Sequence, residues 1–296
     1  MLKFQFLRRH IMSKALLLFC PLAVFYVVWT TQQQGVLDAT QDYGMFFFVG
    51  VIGAIFANST GAGGGVIFIP VFSGLGLEPL QSISTSFAIQ CFGMTAGALT
   101  WWRYRETQAN NSWPQFYKIV SVCTPFSISG LWLCQWLGFP PPQSMLFTFG
   151  LFSIMLGTAL IFKLRYPDSY SDMTLINRHD FIALAGISFI GGIITAWLSV
   201  GVGELIATYL LFRKVNPVMS VAIAVIVSAF TVWGSAYIHF TEDTKTLFNI
   251  VIFAGPGAIL GGLFARKLVL HLSAKKLKAF FGVWIILSGL TVLIFE

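Results

Sequence analysis

Charged residues are scarce in this chain: Asp, Glu, Lys and Arg together make up 10% of its 296 residues. Because soluble domains carry about a quarter charged residues, this composition argues against an ordinary soluble protein. Apolar residues reach 56%, and the mean hydropathy is +0.80. Uncharged runs long enough to cross a bilayer as helices recur along the whole chain. Short alternating segments, which are typical of a membrane barrel, do not dominate. The sequence therefore predicts an all-α polytopic membrane protein.

Cysteine pairs and catalytic motifs are also missing. Cys20, Cys91, Cys123 and Cys134 lie in apolar runs without a CxxC pair, which favours buried thiols over disulfides or a metal site. HExxH, GxSxG and paired intramembrane carboxylates are absent, which argues against a membrane enzyme. We expect no metal and no cofactor. The net charge of +7 comes from Lys and Arg in short loops, which indicates membrane orientation and not a nucleic-acid partner.

The first apolar segment, at residues 15–31, follows a basic N-terminus and so has the charge order of a signal peptide. It lacks a small-x-small cleavage site. We therefore expect this segment to remain as a first transmembrane helix.

Two glycine-rich breaks interrupt the later apolar segments. The first, Asn58–Gly65 (NSTGAGGG), separates the segments 44–57 and 65–77, and the second, Ser199–Glu204 (SVGVGE), opens the segment 204–212. These three segments are too short to span a bilayer comfortably. Because glycine destabilises a helix, irregular backbone is expected at both breaks.

The motifs around the first break recur in the same order roughly 140 residues later, which indicates a duplicated unit. Each match is weak alone, but four of them keep one order. The matched sets are Gly61-Ala62-Gly63 with Gly201-Val202-Gly203, Pro79 and Ser82 with Pro217 and Ser220, Pro125 and Gly130 with Pro256 and Gly261, and Phe149, Gly150 and Gly157 with Phe281, Gly282 and Gly289.

The basic residues distinguish two topologies. If each interrupted pair of segments is a hairpin that enters the membrane and returns, every Lys and Arg except Lys245 falls on one side. If each pair is a single crossing, several basic residues move to the opposite side. Those residues are Arg103, Arg105, Lys118, Lys163, Arg165 and Arg178. The positive-inside rule therefore favours hairpins, with a cytoplasmic N-terminus and a C-terminus outside.

Four regions follow from this topology. Residues 1–43 comprise the cytoplasmic N-terminus, the extra transmembrane helix and an outer loop, and residues 163–180 form a cytoplasmic linker. Residues 44–162 and 181–296 form two transmembrane repeats. Each repeat passes through the membrane an odd number of times if hairpin arms are counted. The second repeat is therefore inverted relative to the first. Inverted-topology repeats with Gly-broken helical hairpins are typical of secondary transporters, and packing symmetry in a channel or scaffold is the alternative.

The first break has the features of an anion site. The N–H groups that begin the following helix, together with its dipole, attract negative charge. Close helix packing through GxxxG spacing is the alternative, which we favour for Gly93–Gly97 and Gly257–Gly261. At the first break the glycine density exceeds what packing needs. The predicted substrate-binding residues are Asn58, Ser59, Thr60, Gly61, Gly63, Gly64 and Gly65, with Gly201 and Gly203 in the second break.

The helix after the first break is rich in polar residues (QSISTSFAIQ, 81–90). Ser82 and Ser86 are one turn apart and therefore share a face. We predict that Ser82, Thr85 and Ser86 line the substrate pathway. The alternative is that their hydroxyls bond to their own helix backbone.

Glu204 lies deep inside an apolar stretch, at the start of the second broken arm. A carboxylate at this position is suited to cap the helix N-terminus. It is equally suited to act as a proton carrier or gate, since intramembrane acids usually mark ion pathways. We favour the coupling or gating role. His239 lies near an outer boundary and is expected to be interfacial.

The residues Gly61–Pro70 (GAGGGVIFIP), followed by Pro79 and Ser84–Ser86, resemble the TauE/SafE family of sulfite and organosulfonate exporters. The second motif at Gly201–Gly203 fits the same family, and the resemblance covers residues 44–295. It implies export of small sulfur-containing anions across the bacterial inner membrane, coupled to an ion gradient.

One departure concerns the second motif, where Gly203-Glu204-Leu205 stands in place of a triple glycine. An ionised carboxylate beside an anion site would repel the substrate. Either Glu204 is protonated when the substrate binds, which suits proton coupling, or this repeat no longer binds the anion.

The sequence thus predicts a secondary transporter whose partners are a small anion, the lipid bilayer and a coupled proton. A passive anion channel and a non-transporting membrane scaffold or assembly protein are the alternatives. A homo-oligomer is compatible with the sequence.

Overall fold

The computed structural model describes residues 36–108, 113–138, 142, 144–163, 176–241, 244–272 and 274–294. The predicted first transmembrane helix at 15–31 lies outside the described residues. Those residues form helices and no strands, which confirms the all-α prediction. The helices are α1 (Val36–Tyr43), α2 (Phe46–Thr60), α3 (Gly65–Gly74), α4 (Pro79–Thr107), α5 (Phe116–Trp136), α6 (Met145–Lys163), α7 (Arg178–Leu198), α8 (Val202–Phe212), α9 (Pro217–Gly234), α10 (Ala236–His239), α11 (Phe248–His271) and α12 (Ala274–Ile294).

Helix α1 belongs to a unit that ends at Met45, and α2 to α12 belong to a second unit that starts at Phe46. Six stretches of the described chain are long and apolar enough to cross a membrane, which confirms a polytopic membrane protein. They are Thr40–Thr60, Phe116–Trp136, Met145–Phe162, Arg178–Leu198, Pro217–Gly234 and Phe248–His271.

The first arm is longer than the predicted segment 44–57, because the helix continues through the polar residues that follow. Asn58 Nδ2 donates to the carbonyl of Ala54 at 2.8 Å, and Thr60 Oγ1 donates to the carbonyl of Phe56 at 2.8 Å. These bonds to carbonyls one turn back let polar side chains extend an apolar helix.

Both interrupted pairs of helices are hairpins. In the first, Phe46 lies 6.1 Å from Phe72 between ring centroids, and the ring of Phe68 covers Gly53, so α2 and α3 run antiparallel. In the second, Gly191 lies against Val202, while the opposite ends of α7 and α8 are joined by hydrogen bonds. The structure therefore excludes the single-crossing alternative.

Packing partners are exchanged between the two halves of the chain. Helix α2 of the first hairpin packs on α11, and α7 of the second hairpin packs on α5. Likewise α4 contacts α11, α9 contacts α5, and the pairs α4–α9 and α6–α12 join the halves. Such an exchange is what a pseudo-twofold relation between duplicated units requires, so it supports the predicted repeat. The orientation of the repeats in the membrane stays a prediction.

The GxxxG pairs pack helices closely, as we expected. A Cβ on Gly257 would lie 2.0 Å from the carbonyl oxygen of Phe47, and one on Gly261 would lie 2.2 Å from that of Val51. Gly93 lies between the side chains of Ala54 and Ala258. The absence of a side chain at these glycines lets α11 approach α2 and α4.

Candidate functional site

The tips of the two hairpins meet. Gly61 turns the first tip with φ +83° and Gly201 turns the second with φ +139°, in a region that other residues rarely adopt. A Cβ on Gly203 would lie 1.9 Å from the carbonyl oxygen of Gly61, so only glycine permits this approach. Similarly, a Cβ on Gly65 would lie 2.7 Å from the carbonyl oxygen of Ser199. The glycines of both breaks therefore serve the contact between the tips.

Two long helices pass beside the tips. Gln90 of α4 contacts the first tip and Ser228 of α9 borders the second. Each residue lies roughly 16 Å along its helix from the starting proline, Pro79 or Pro217, at 1.5 Å per residue. This length is about half of the ~30 Å hydrocarbon core. The tips are thus suited to lie near the middle of a bilayer.

The Glu204 carboxylate joins the two breaks. Its Oε1 accepts a hydrogen bond from the Gly63 N–H at 3.1 Å, and its Oε2 accepts one from the Gly201 N–H at 2.7 Å. The side chain is 1% exposed. Glu204 therefore caps its own helix, as one interpretation of the sequence held, and it also occupies a donor of the predicted anion site in the other hairpin.

Gln90 completes the first tip, although we did not include it among the predicted site residues. Its Oε1 accepts a hydrogen bond from the Gly64 N–H at 2.7 Å. Its Nε2 donates to the Ser199 hydroxyl at 2.8 Å, to the Ser199 carbonyl at 3.2 Å and to Ser86 Oγ at 3.0 Å. The carboxamide thus satisfies groups at both tips. In the sequence, Gln90 ends a run of polar residues within an otherwise apolar helix, and this pattern could have identified it as a site residue.

Ser228 is a second residue that the sequence interpretation missed. It is 2% exposed, and its hydroxyl has no hydrogen-bond partner among the described residues. A Cβ on Gly203 would lie 2.5 Å from Ser228 Oγ, so this hydroxyl borders the second break. Ser228 follows Pro217 by the same interval at which Gln90 follows Pro79, which makes the two residues counterparts in the predicted repeat. A buried hydroxyl without a partner is available to a ligand.

The remaining predicted polar residues have other hydrogen bonds. Asn58 Nδ2 also reaches the carbonyl of Gly93, Ser59 Oγ donates to the carbonyl of Ala265, and Thr60 Oγ1 accepts from the Ala62 N–H. Asn58 and Ser59 therefore bond to helix backbone, while Thr60 caps the first turn of the break.

The three predicted hydroxyl residues of α4 differ in their surroundings. Ser86 accepts hydrogen bonds from Gln90 and from Ser199 Oγ, which places it in the cluster at the tips. Thr85 Oγ1 instead accepts the N–H of Leu247 at 3.0 Å. Ser82 is 1% exposed, and its hydroxyl is unpartnered within the described part of the chain.

His239 is buried within the protein, and the expectation that it lies near the membrane boundary stays a prediction. Its ring stacks on Phe87 with centroids 4.4 Å apart, and it is 6% exposed. It lies on the short helix α10, outside the candidate membrane spans. Burial lowers the pKa of His239 to about 4, because desolvation disfavours the charged ring.

A family model identifies the chain. The model described as Sulfite exporter TauE/SafE matches residues 46–292, which span both hairpins and the helices between and after them. No curated protein and no solved structure gives a significant match. Among the described residues, no group of three or more His, Cys, Asp or Glu is placed to hold a metal ion. The chain therefore belongs to the sulfite exporter TauE/SafE family, a family of membrane transporters.

Proposed function

We propose that this protein is a secondary transporter that exports small sulfur-containing anions, such as sulfite or organosulfonates, across the bacterial inner membrane with ion-gradient coupling. One observation carries the proposal: N–H groups from two separate hairpins converge on a single carboxylate, that of Glu204. A carboxylate held in this way marks a place built to hold an anion.

The donor set suits an oxyanion bearing several oxygens. The Gly63 and Gly201 N–H groups bind the two oxygens of one carboxylate, and they would bind two oxygens of a sulfite or sulfonate group in its place. The Ser228 hydroxyl, which has no partner among the described residues, supplies a further donor beside the second break. At the first break the Gln90 carboxamide accepts the Gly64 N–H and so positions the backbone beside the donors. Backbone donors at helix starts need no lysine or arginine to attract such a group.

Glu204 is the coupling residue in this proposal. Ionised, its carboxylate occupies the donors at both tips. When it takes up a proton, its interaction with the Gly63 and Gly201 N–H groups weakens and the substrate replaces it. Alternating access would arise as the two inverted halves rock about the contact between the tips.

The test is anion flux in proteoliposomes, measured with sulfite, thiosulfate and methanesulfonate in the presence and absence of a pH gradient. Glu204→Gln keeps the shape of the side chain but removes its charge and its titration. Glu106→Gln is the matched control, because Glu106 is exposed and accepts a hydrogen bond from Trp102, four residues away on the same helix. We expect gradient-driven flux in the native protein and in the control, and its loss in Glu204→Gln.

Other outcomes would assign different functions. Flux that never exceeds passive equilibration under a pH gradient would indicate an anion channel. Absence of flux of all three anions from folded protein would refute the transporter proposal and favour a scaffold. Gradient-driven flux that survives Glu204→Gln would leave the transporter standing and reduce Glu204 to a structural cap.

A further inference from the structure

We infer that one proton accompanies each anion across the membrane in the same direction, because the substrate and the ionised Glu204 carboxylate compete for the same N–H donors. This inference rests on the proposed function and adds the sign and stoichiometry of its coupling. Membership of the TauE/SafE family specifies neither the sign nor the stoichiometry of the coupling.

The substrate and Glu204 compete for the same hydrogen-bond donors. The N–H donors of Gly63 and Gly201 lie at the tips of different hairpins, yet both are occupied by the two oxygens of Glu204. The carboxylate is 1% exposed, so its negative charge depends on these donors instead of water. A substrate anion reaches the same donors only after the carboxylate has given them up.

The charged groups around the hairpin tips determine whether a second negative charge can be balanced there. Helices α2, α3 and α9, which form or border the tips, carry no titratable side chain. On α7 and α8 the titratable groups are Arg178, His179, Asp180 and Tyr209, and Arg213 follows α8 directly. Asp180 bonds to Tyr209 and to Arg213 at the far end of the hairpin.

Helices α4, α11 and α12 also contact the hairpin tips, α11 through the Ser59–Ala265 bond and α12 through the Ser288–Val66 bond. Arg266, which follows Ala265 on α11, donates to the carbonyl of Thr100. The described Lys276 of α12 lies 12 residues before Ser288 and is exposed.

Helix α4 brings no cation to the tips. Its Cys91 is a buried thiol beside Gln90, and its charged residues lie in the stretch Arg103–Glu106, more than three turns away. Within the described part of the chain, no basic side chain forms an ion pair with Glu204. Among the described residues, the site therefore has donors for one negative charge and no ion-paired cation to balance a second.

Burying an unpaired charge carries a large free-energy cost. Two negative charges side by side in this apolar surrounding are strongly disfavoured. The anion therefore enters when a proton has neutralised Glu204, so that one buried negative charge replaces another. Proton binding and anion binding favour each other, and both ligands cross together. An exchanger requires the opposite relation, in which proton and anion exclude one another.

The inference determines how membrane potential acts. A monovalent anion with one proton carries no net charge, so its transport is insensitive to potential. A divalent anion would bring a second buried negative charge that these donors do not balance, so monovalent anions are the favoured substrates. Because proton and anion move together, a pH gradient that is alkaline outside drives export of the monoanion, and one that is acid outside opposes it.

The experiment records anion flux and luminal pH together in proteoliposomes that contain a pH-sensitive dye. Methanesulfonate is the first probe, because it is a permanent monoanion and carries no proton of its own. An inward methanesulfonate gradient should acidify the lumen by one proton per anion, at the same rate with potassium and valinomycin clamping the potential at zero or inside-negative. Thiosulfate, a permanent dianion, should be transported more slowly than methanesulfonate, because the site does not balance its second charge.

Variants separate coupling from transport. Glu204→Gln should abolish proton movement, and Glu106→Gln should keep one proton per anion. Methanesulfonate uptake that alkalinises the lumen, or that leaves luminal pH unchanged in the native protein, would overturn co-transport while leaving the transporter function intact. Absence of any anion flux from folded protein would instead overturn the proposed function, and the inference with it.

Discussion

Replacing Gly203 with alanine tests the contact between the hairpin tips. The added Cβ would lie 1.9 Å from the carbonyl oxygen of Gly61 and 2.5 Å from Ser228 Oγ. The nearer atom belongs to the backbone, so the tip itself has to retreat by about 1 Å to restore normal contact. That movement would stretch the 3.1 Å bond between Gly63 N and Glu204 Oε1 beyond hydrogen-bonding range.

The energetic cost has two opposing parts. Overpacking costs about 3 kcal/mol, the upper end of the usual range, since the opposing backbone yields little. Alanine regains about 1 kcal/mol of helix propensity. The net destabilisation is about 2 kcal/mol. Gly186→Ala is the matched control: a Cβ there meets no atom within 4 Å, and Gly186 lies on α7 of the same hairpin. This control should gain about 1 kcal/mol.

The assay is the free energy of unfolding of both variants in detergent micelles, followed by anion flux in proteoliposomes. We expect the two variants to differ by about 3 kcal/mol in unfolding free energy, with flux reduced only in Gly203→Ala. Equal stabilities, or full flux in Gly203→Ala, would refute the tight contact between the tips and the site built upon it.

Two further predictions concern buried polar residues. Ser228→Ala should leave the unfolding free energy within about 0.5 kcal/mol, because its hydroxyl has no partner among the described residues, yet it should raise the KM for anion transport. Thr231→Val is the control on the same helix. It breaks a 2.7 Å hydrogen bond to Ser127, so it should lower the unfolding free energy by about 1 kcal/mol and leave the KM unchanged. If Ser228→Ala also leaves the KM unchanged, Ser228 is not part of the site. His239 takes up its proton at pH 6.5 in the unfolded chain but near 4 when buried, so stability should fall as the pH drops below 6.5, by about 2 kcal/mol at pH 5. His239→Phe, which keeps a ring against Phe87, should remove that loss, and an identical pH dependence in both proteins would contradict the assignment.

Much of the architecture could be predicted because it depends on local composition. Runs of apolar residues specify helices in a bilayer, and the glycines at Gly61 and Gly201 interrupt those helices wherever they lie in space. The bias of basic residues favoured hairpins, which the antiparallel arms confirm. The first arm was predicted too short, because local hydropathy does not register that Asn58 and Thr60 bond to carbonyls one turn back.

The candidate site could be predicted only in part. Glycine density and helix N-termini indicated anion donors at both breaks, and the position of Glu204 in an apolar run marked it as functional. Gln90 and Ser228 were missed because each is one polar residue in a long helix, and neither shows by itself which tip it faces. The burial of His239 was missed, because the sequence gives no sign of the Phe87 ring that covers it.

The sequence by itself determined the membrane class, the broken hairpins, the family resemblance and an acid beside the second break. Only the tertiary structure decided that this acid reaches across to Gly63, 141 residues away, and that the N–H groups predicted as anion donors bond to a carboxyl group of the protein itself. The physical reason is that helix formation and helix breaking follow from neighbouring residues. The partner of a buried carboxylate is set by which tips pack together, and that depends on glycines such as Gly61 and Gly203 that meet only in the folded chain.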